Sequence, residues 1–192
     1  PLYSSAASDV YKRQSMQFHW QNDGYQTFDD FLAALSSRKR KNIRKERRTV
    51  ADAGVRLLRL TGDDITASHI DDFYRFYMST IDRKWGGAYL THEVFHELRA
   101  NMADKMLLVM AEYDGAIIGG ALNFIGSDAL FGRNWGADLD IPCLHFEACY
   151  YQAIEFAIER GLSQVEAGAQ GFHKVQRGYM PVSYTHLRAH ET

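Results

Sequence analysis

Two stretches of this sequence carry the residue types of acid–base and anion chemistry: residues 144–160, LHFEACYYQAIEFAIER, and residues 164–179, QVEAGAQGFHKVQRGY. At helical spacing His145, Gln152, Glu155 and Glu159 form one stripe, read here as the solvent face. Tyr151, Ile154 and Ile158 form the inward stripe, and Glu147 continues it one turn earlier. A carboxylate among apolar neighbours is harder to ionise and suits a general base. The structural alternative for Glu147 is service to the helix dipole or a pair with Arg133. Glu166 is a second base candidate, or else a cross-strand partner for a cation. His173 titrates near neutrality and suits proton transfer. Lys174 and Arg177 suit a phosphate or carboxylate, unless they are the charged face of a solvated basic helix. Arg133 and Asn134 fall at the end of a strand with side chains on opposite faces. Tyr151 and the loop residue Gln170 complete the candidate binding set.

A third cluster, His92-Glu93-Val94-Phe95-His96, matches H-E-x-x-H, with both imidazoles on one helix face as a zinc protease needs. No third histidine follows at the usual spacing, no obvious ligand sits on a following helix, and the chain holds eight histidines in all. Zinc hydrolysis through His92, Glu93 and His96 is therefore the minor reading, and no metal is expected.

Such residues need a folded frame. The chain has 192 residues, 46% apolar and 24% charged, enough for one domain with a real core, and these figures exclude disorder and collagen. Cys143 and Cys149 make no Cys-x-x-Cys pattern, which predicts reduced thiols and a cytoplasmic protein. No run approaches the ~18–20 apolar residues of a membrane helix, and no signal peptide opens the chain. Charge is uneven: Arg38–Arg48 holds eight of the 22 Lys and Arg and only one acid, Glu46, so a segment of net +7 rides on a remainder of −9. A solvated helix explains that segment; a surface for an anionic polymer is the alternative. Residues 1–14 and 182–192 differ in texture from the middle, resemble translated adaptor sequence and are set aside from the fold, leaving 15–181 as a single domain.

Within that stretch Thr27 and Ser36 cap successive helices, the second closed by Gly54. Val55–Thr61 reads as a strand, Gly62–Asp64 as a turn and Ile65–Trp85 as a long helix with Ile70, Phe73, Tyr77 and Ile81 inward; Trp85-Gly86-Gly87 breaks it, and a helix follows over Thr91–Met102. The period then changes to 2. Met106–Glu112, Ala116–Ile125 and Ala129–Trp135 form a meander turning at Asp114-Gly115, Pro142 opens a helix to Arg160, and Gln164–Ala167 returns parallel to the third strand. A short basic helix spans His173–Arg177. The order predicts an α/β mixed, mostly antiparallel sheet with helices on both faces.

That order resembles the GCN5-related N-acetyltransferase (GNAT) fold. FGRNWGA (131–137), LHFEACYYQAIEFAIERGL (144–162), EAGAQGFHKVQRGYMP (166–181) and the basic SSRKRKNIRKERR (36–48) together resemble the FemAB-like group, a GNAT-related family tied by name to peptidoglycan biosynthesis or recognition. The resemblance implies an N-acyltransferase moving an acyl or aminoacyl group onto an amine. Acyl-CoA or aminoacyl-tRNA would be co-substrate rather than bound cofactor, a cell-wall precursor the acceptor, and Arg38–Arg48 the tRNA contact. It implies a splay between 129–135 and 164–167 whose strand amides face an acyl carbonyl, and a helix N-terminus that meets a carrier phosphate. It also implies a terminal hairpin, of which the last strands are expected to be missing, and a leaving-group tyrosine at the position of Tyr179. Glu147 or Glu166 would be the base, since the amine must be neutral to attack. The loop GADLDIPCLH departs from the glycine-rich acetyl-CoA pattern: Asp138 and Asp140 oppose a pyrophosphate. A non-catalytic module that binds a cell-wall precursor or RNA is the alternative.

Overall fold

The computed structural model describes residues 11–84, 88–169 and 171–188. The expected helix break at Trp85-Gly86-Gly87 and the candidate Gln170 lie outside them. Seven strands form one sheet: β1 (Tyr11–Gln21), β2 (Arg56–Leu60), β3 (Met106–Tyr113), β4 (Ala116–Ile125), β5 (Ala129–Ala137), β6 (Gln164–Glu166) and β7 (Met180–Arg188). The order is β2-β3-β4-β5-β6-β1-β7, and every neighbouring pair is antiparallel except β5 with β6.

β3 explains the layering. Residues Met106 to Ala111 are fully buried, so this strand is covered on both faces. Leu107 and Val109 face α1 (Phe28–Ala34), α2 (Ser37–Asp52) and the late helix; Met106, Leu108 and Met110 face α3 (Ala67–Lys84) and α4 (His92–Met102). The predicted caps are present: Thr27 and Asp30 form a reciprocal capping box, and the Ser36 hydroxyl accepts from the Lys39 amide. Asp114 and Gly115 both take positive φ, 49° and 75°, as a two-residue hairpin turn of the right twist requires. The sheet of mixed direction with helices on both faces is the GNAT-like architecture expected from the element order.

The structure departs from the sequence reading in three places. Residues 11–14 and 182–188, set aside above, belong to β1 and β7, which pair from Tyr11↔Arg188 to His19↔Met180; a strand thus follows the last helical turn and seats beside β1. The late helix starts at Leu144 rather than Pro142, because Cys143 sits in the left-handed region at φ 67°. That helix is also not continuous α: α5 (Leu144–Phe146) runs into a π-helical turn (Glu147–Tyr151) and then α6 (Gln152–Glu159). The extra residue of a π turn rotates everything before it relative to everything after. Hence the expected solvent stripe breaks up: Gln152 is buried and donates to Glu147 at 2.7 Å, while His145 faces the β5–β6 side.

α3 is seated on β5 through Gly136, where a Cβ would lie 2.1 Å from the Phe76 carbonyl oxygen, and the Thr80 hydroxyl donates to the Trp135 carbonyl at 3.1 Å. Gly136→Ala is expected to lower unfolding stability by about 1–3 kcal/mol, the usual range for overpacking. Urea denaturation with an unchanged m-value checks this.

Candidate active site

β5 and β6 are paired over three residues only, Ala129↔Gln164, Leu130↔Val165 and Phe131↔Glu166. Gly132 allows the last close approach, since a Cβ there would come within 3.2 Å of the Glu166 carbonyl oxygen. Beyond it the register with β4 slips between Leu122↔Asn134 and Asn123↔Gly132, leaving Arg133 as a bulge residue. A bulge bends its strand and re-aims its side chains. Past this point β5 keeps β4 on one edge and, among the described residues, no strand on the other. On the β6 side the chain swings toward β1: the Ala167 amide donates to the Phe18 carbonyl at 2.9 Å and the Phe18 amide to Gly168 at 3.2 Å.

A cavity of about 390 Å³ fills the parting, at the low end of small-molecule sites. β4 contributes Leu122 and Asn123, and β5 contributes Gly132 to Trp135. The late helix gives His145, Cys149 and Tyr150, and the segment after β6 gives Ala167, His173 and Lys174. Arg133 and Asn134 both border it, not one alone as strict alternation predicts, because the bulge cancels the alternation. The Tyr150 hydroxyl lies 3.0 Å from His173 Nε2. Burial, then the charges of Arg177 and Lys174, hold the His173 imidazolium below the ordinary histidine range; burial pushes the Tyr150 phenol up. Cys149 is likewise held as a thiol by desolvation, which removes it as a nucleophile.

The remaining candidates stand elsewhere or are already engaged. Glu147 is buried but does not border the cavity. Its carboxylate is gripped by Arg47, with Nε donating at 3.2 Å and Nη2 3.2 Å away, and by the Gln152 amide. Arg47, not Arg133, is its partner, and Arg47 also holds Glu155 at 2.9 Å. Glu166 accepts from Gln164 at 3.3 Å and lies 3.8 Å from His19. The Lys174 ammonium caps the Ala167 and Gly168 carbonyls at 2.5 and 3.1 Å. Arg177 forks onto Glu46 at 2.7 and 3.1 Å, donates to the His173 carbonyl and lies over the Phe146 ring at 3.4 Å. Both cations are therefore structural ties rather than free anion holders. Tyr151 donates to Glu46 behind the cavity, and Tyr179, fully buried, donates to the Tyr150 carbonyl at 3.5 Å. At the start of α5 the amides of Leu144, Phe146 and Glu147 are spent on the carbonyls of Ile141 and Cys143, and a neighbouring hollow is bordered by Asp138 and Asp140.

Asn123, His145 and Tyr150 escaped the sequence reading. Asn123 had a signal, a lone amide inside an apolar strand; it is buried and donates to the Leu107 carbonyl at 3.4 Å. The other two depend on the π turn, which has no sequence mark.

The family model for FemAB-like proteins, described as peptidoglycan biosynthesis/recognition, matches residues 3–191. The chain belongs to the FemAB-like family. A search of curated protein sequences finds no match. Among solved structures, L-PGS from Bacillus licheniformis superposes with a TM-score of 0.64 at 10% identity, covering 92% of this chain and 60% of that one. FemX gives 0.64 at 11% identity, covering 90% and 61%. A GCN5-related glucosamine N-acetyltransferase region of a fungal multi-domain GH3 β-N-acetylglucosaminidase gives 0.55 at 9%, covering 92% and 21%. At these identities the likeness is one of fold. This FemAB-like chain spans about 60% of the length of L-PGS and FemX. No helix among its described residues is long and apolar enough to cross a membrane.

Two outcomes follow from the site electrostatics. The His173 ring is expected to titrate by NMR with a midpoint below the ordinary 6.5, so it is neutral at pH 7. The sign for stability follows: the unfolded ring takes up a proton that the folded ring resists, so His173 lowers stability as pH falls below 6.5 and has no effect well above it. Arg47→Met strands the Glu147 carboxylate and is expected to cost about 2–4 kcal/mol, somewhat under the full penalty for breaking a buried pair because Gln152 remains and Arg47 is partly exposed. Chemical denaturation measures it.

Proposed function

We propose that this FemAB-like chain is the acyl-accepting half of an aminoacyltransferase that moves an aminoacyl group from a tRNA ester onto an amine of a cell-wall precursor. The observation that carries the reading is the cavity at the β5–β6 parting with the Tyr150–His173 pair at its wall. In the reaction the amine loses a proton to neutral His173 and attacks the ester carbonyl. The main-chain edge of β5 past Gly132 receives the developing oxyanion. The C–O bond to the carrier breaks as Tyr150 gives its proton to the leaving oxygen, and the proton on His173 returns to Tyr150 across their 3.0 Å contact. His173 thereby takes the base role first assigned to Glu147 or Glu166, and Tyr150 the acid role first assigned to Tyr179.

Two features favour a tRNA ester over acyl-CoA. The α5 start offers spent amides and two aspartates where a pyrophosphate would need donors. α2, by contrast, keeps Arg38, Lys41, Lys45 and Arg48 exposed and without a carboxylate partner among the described residues. These four recur at three- and four-residue spacing, so they form one stripe on the outer face. Lys45 reaches close enough to bias the Cys143 thiol, two residues from His145 at the cavity. A stripe of cations leading to a reaction cavity suits a polyanion whose end carries the reactive group.

The test is transfer from aminoacyl-tRNA and from acyl-CoA to peptidoglycan precursors, with His173→Gln and Tyr150→Phe. Each is expected to lower turnover by about 10²–10⁴ with folding intact. Lys41→Gln with Lys45→Gln is expected to weaken tRNA binding and flatten its salt dependence by about one unit of slope per lost contact. Unchanged turnover in both cavity variants, or transfer from acyl-CoA alone, overturns the reading.

A further inference from the structure

The H-E-x-x-H segment has a third ligand that its sequence does not reveal. α3 and α4 pack side by side through Phe73, Tyr77 and Phe95, all fully buried. With Phe95 pointing into that core, His92 and His96 stand one turn apart on the flank of α4 that faces α3, and Asp71 of α3 meets them there. Asp71 Oδ1 lies 2.8 Å from His92 Nε2 and 2.9 Å from His96 Nε2, and the two Nε2 atoms lie 3.2 Å apart. All three edges of this triangle are of hydrogen-bond length, yet two imidazole nitrogens bring at most two hydrogens when neutral, and none can serve every edge at once. Three lone-pair donors at such spacing are what a small cation organises: adjacent ligands on a tetrahedral zinc with bonds of about 2.0–2.1 Å lie about 3.3 Å apart. An ion at that bond length from all three atoms would sit about 1 Å off the triangle's plane.

We infer that Asp71, His92 and His96 form a binding site for one divalent transition-metal cation of the zinc class, clipping α4 to α3. Two imidazoles with one carboxylate select such ions over magnesium or calcium, which prefer all-oxygen shells. The side chains are 57%, 42% and 32% exposed, so an ion enters from solvent and water completes its shell. The Tyr74 ring packs edge-on against His92 with centroids 5.0 Å apart, and the His92 and His96 rings lie 4.5 Å apart, which fixes the imidazole planes before any ion arrives. Glu93, the would-be catalytic base of a zinc protease, turns its carboxylate back to Thr91 and its own amide. The site borders neither the β5–β6 cavity nor the hollow beside Asp138 and Asp140, so it lies apart from the chemistry proposed above. It joins residues that lie on either side of the α3–α4 connection, and its effect is to hold α4 down on the core.

The experiment uses the untagged full chain, stripped with chelator, and the variants Asp71→Asn and His96→Gln. Zn²⁺ titration by calorimetry and Co²⁺ titration by visible absorption are expected to show one equivalent bound with the absorption of four-coordinate Co²⁺. Mg²⁺ should give no signal. Zn²⁺ should raise the melting temperature of the wild type. Each variant should weaken binding at least about tenfold and lose that rise, while its metal-free melting temperature stays near wild type. Absence of binding overturns the proposal. So does equal binding in wild type and both variants, which would put the ion on other histidines or the cysteines. Loss in His96→Gln but not in Asp71→Asn would leave a bare histidine pair and overturn the three-ligand assignment.

Discussion

The site rests on a hydrogen-bond ladder that stops after three rungs. Buried main-chain groups need partners, so two strands can part only if something else satisfies them. Here the satisfaction is one-sided. On the β6 side the Ala167 amide turns to Phe18, and the carbonyls of Ala167 and Gly168 are taken by Lys174. On the β5 side, among the described residues, nothing comparable replaces the lost strand past Gly132. The buried ammonium of Lys174 thus props the cleft open by closing one wall. The other wall carries the bulge at Arg133.

The charged α2 helix contributes to this frame through its inner face. Glu46, the one acid within its basic run, receives a two-pronged grip from Arg177 and a hydrogen bond from Tyr151, while Arg47 neutralises Glu147 and Glu155. Lys39 and Arg40 bond main-chain carbonyls of Val175, Leu32 and Ala33. The helix therefore has two chemistries. Its inner charges lock the late helix and the turn carrying His173 into place, and its outer charges meet solvent or a polyanion.

Most of the frame was legible because local rules agree with it: the caps at Thr27 and Ser36, the Asp114-Gly115 turn and the unbroken apolar run of β3 each dictate one structure. Phe18 and Trp20, both buried on β1, already alternated with polar neighbours in the retained stretch, but no strand was read there, and the residues before Ser15 that lengthen it were set aside as foreign. The site was less legible. His173, Arg133 and Asn134 could be placed beside the cavity, since a histidine in a glycine-flanked loop and a strand end beside a gap are local signals. The partner of Glu147 could not be read because it lies a hundred residues away on α2. Tyr150 and Asp71 were missed for the same kind of reason: a π turn and a helix crossing decide where they point, and neither is written in a local pattern.

The strand order also sets a timetable. β2 through β5, with α3 and α4, come from one continuous stretch and can assemble as the polypeptide leaves the ribosome. β1 is made earlier still, but its partners β6 and β7 follow only after all of these elements, and His19 must wait for both Glu166 and Met180. Such long-separation pairings are slow to close. During translation β1 stays a solitary strand with Phe18 and Trp20 uncovered, and the far edge of β5 stays bare along its whole length until Gln164–Glu166 emerges. A nascent chain in that state is a natural client for chaperones that shield unpaired edges.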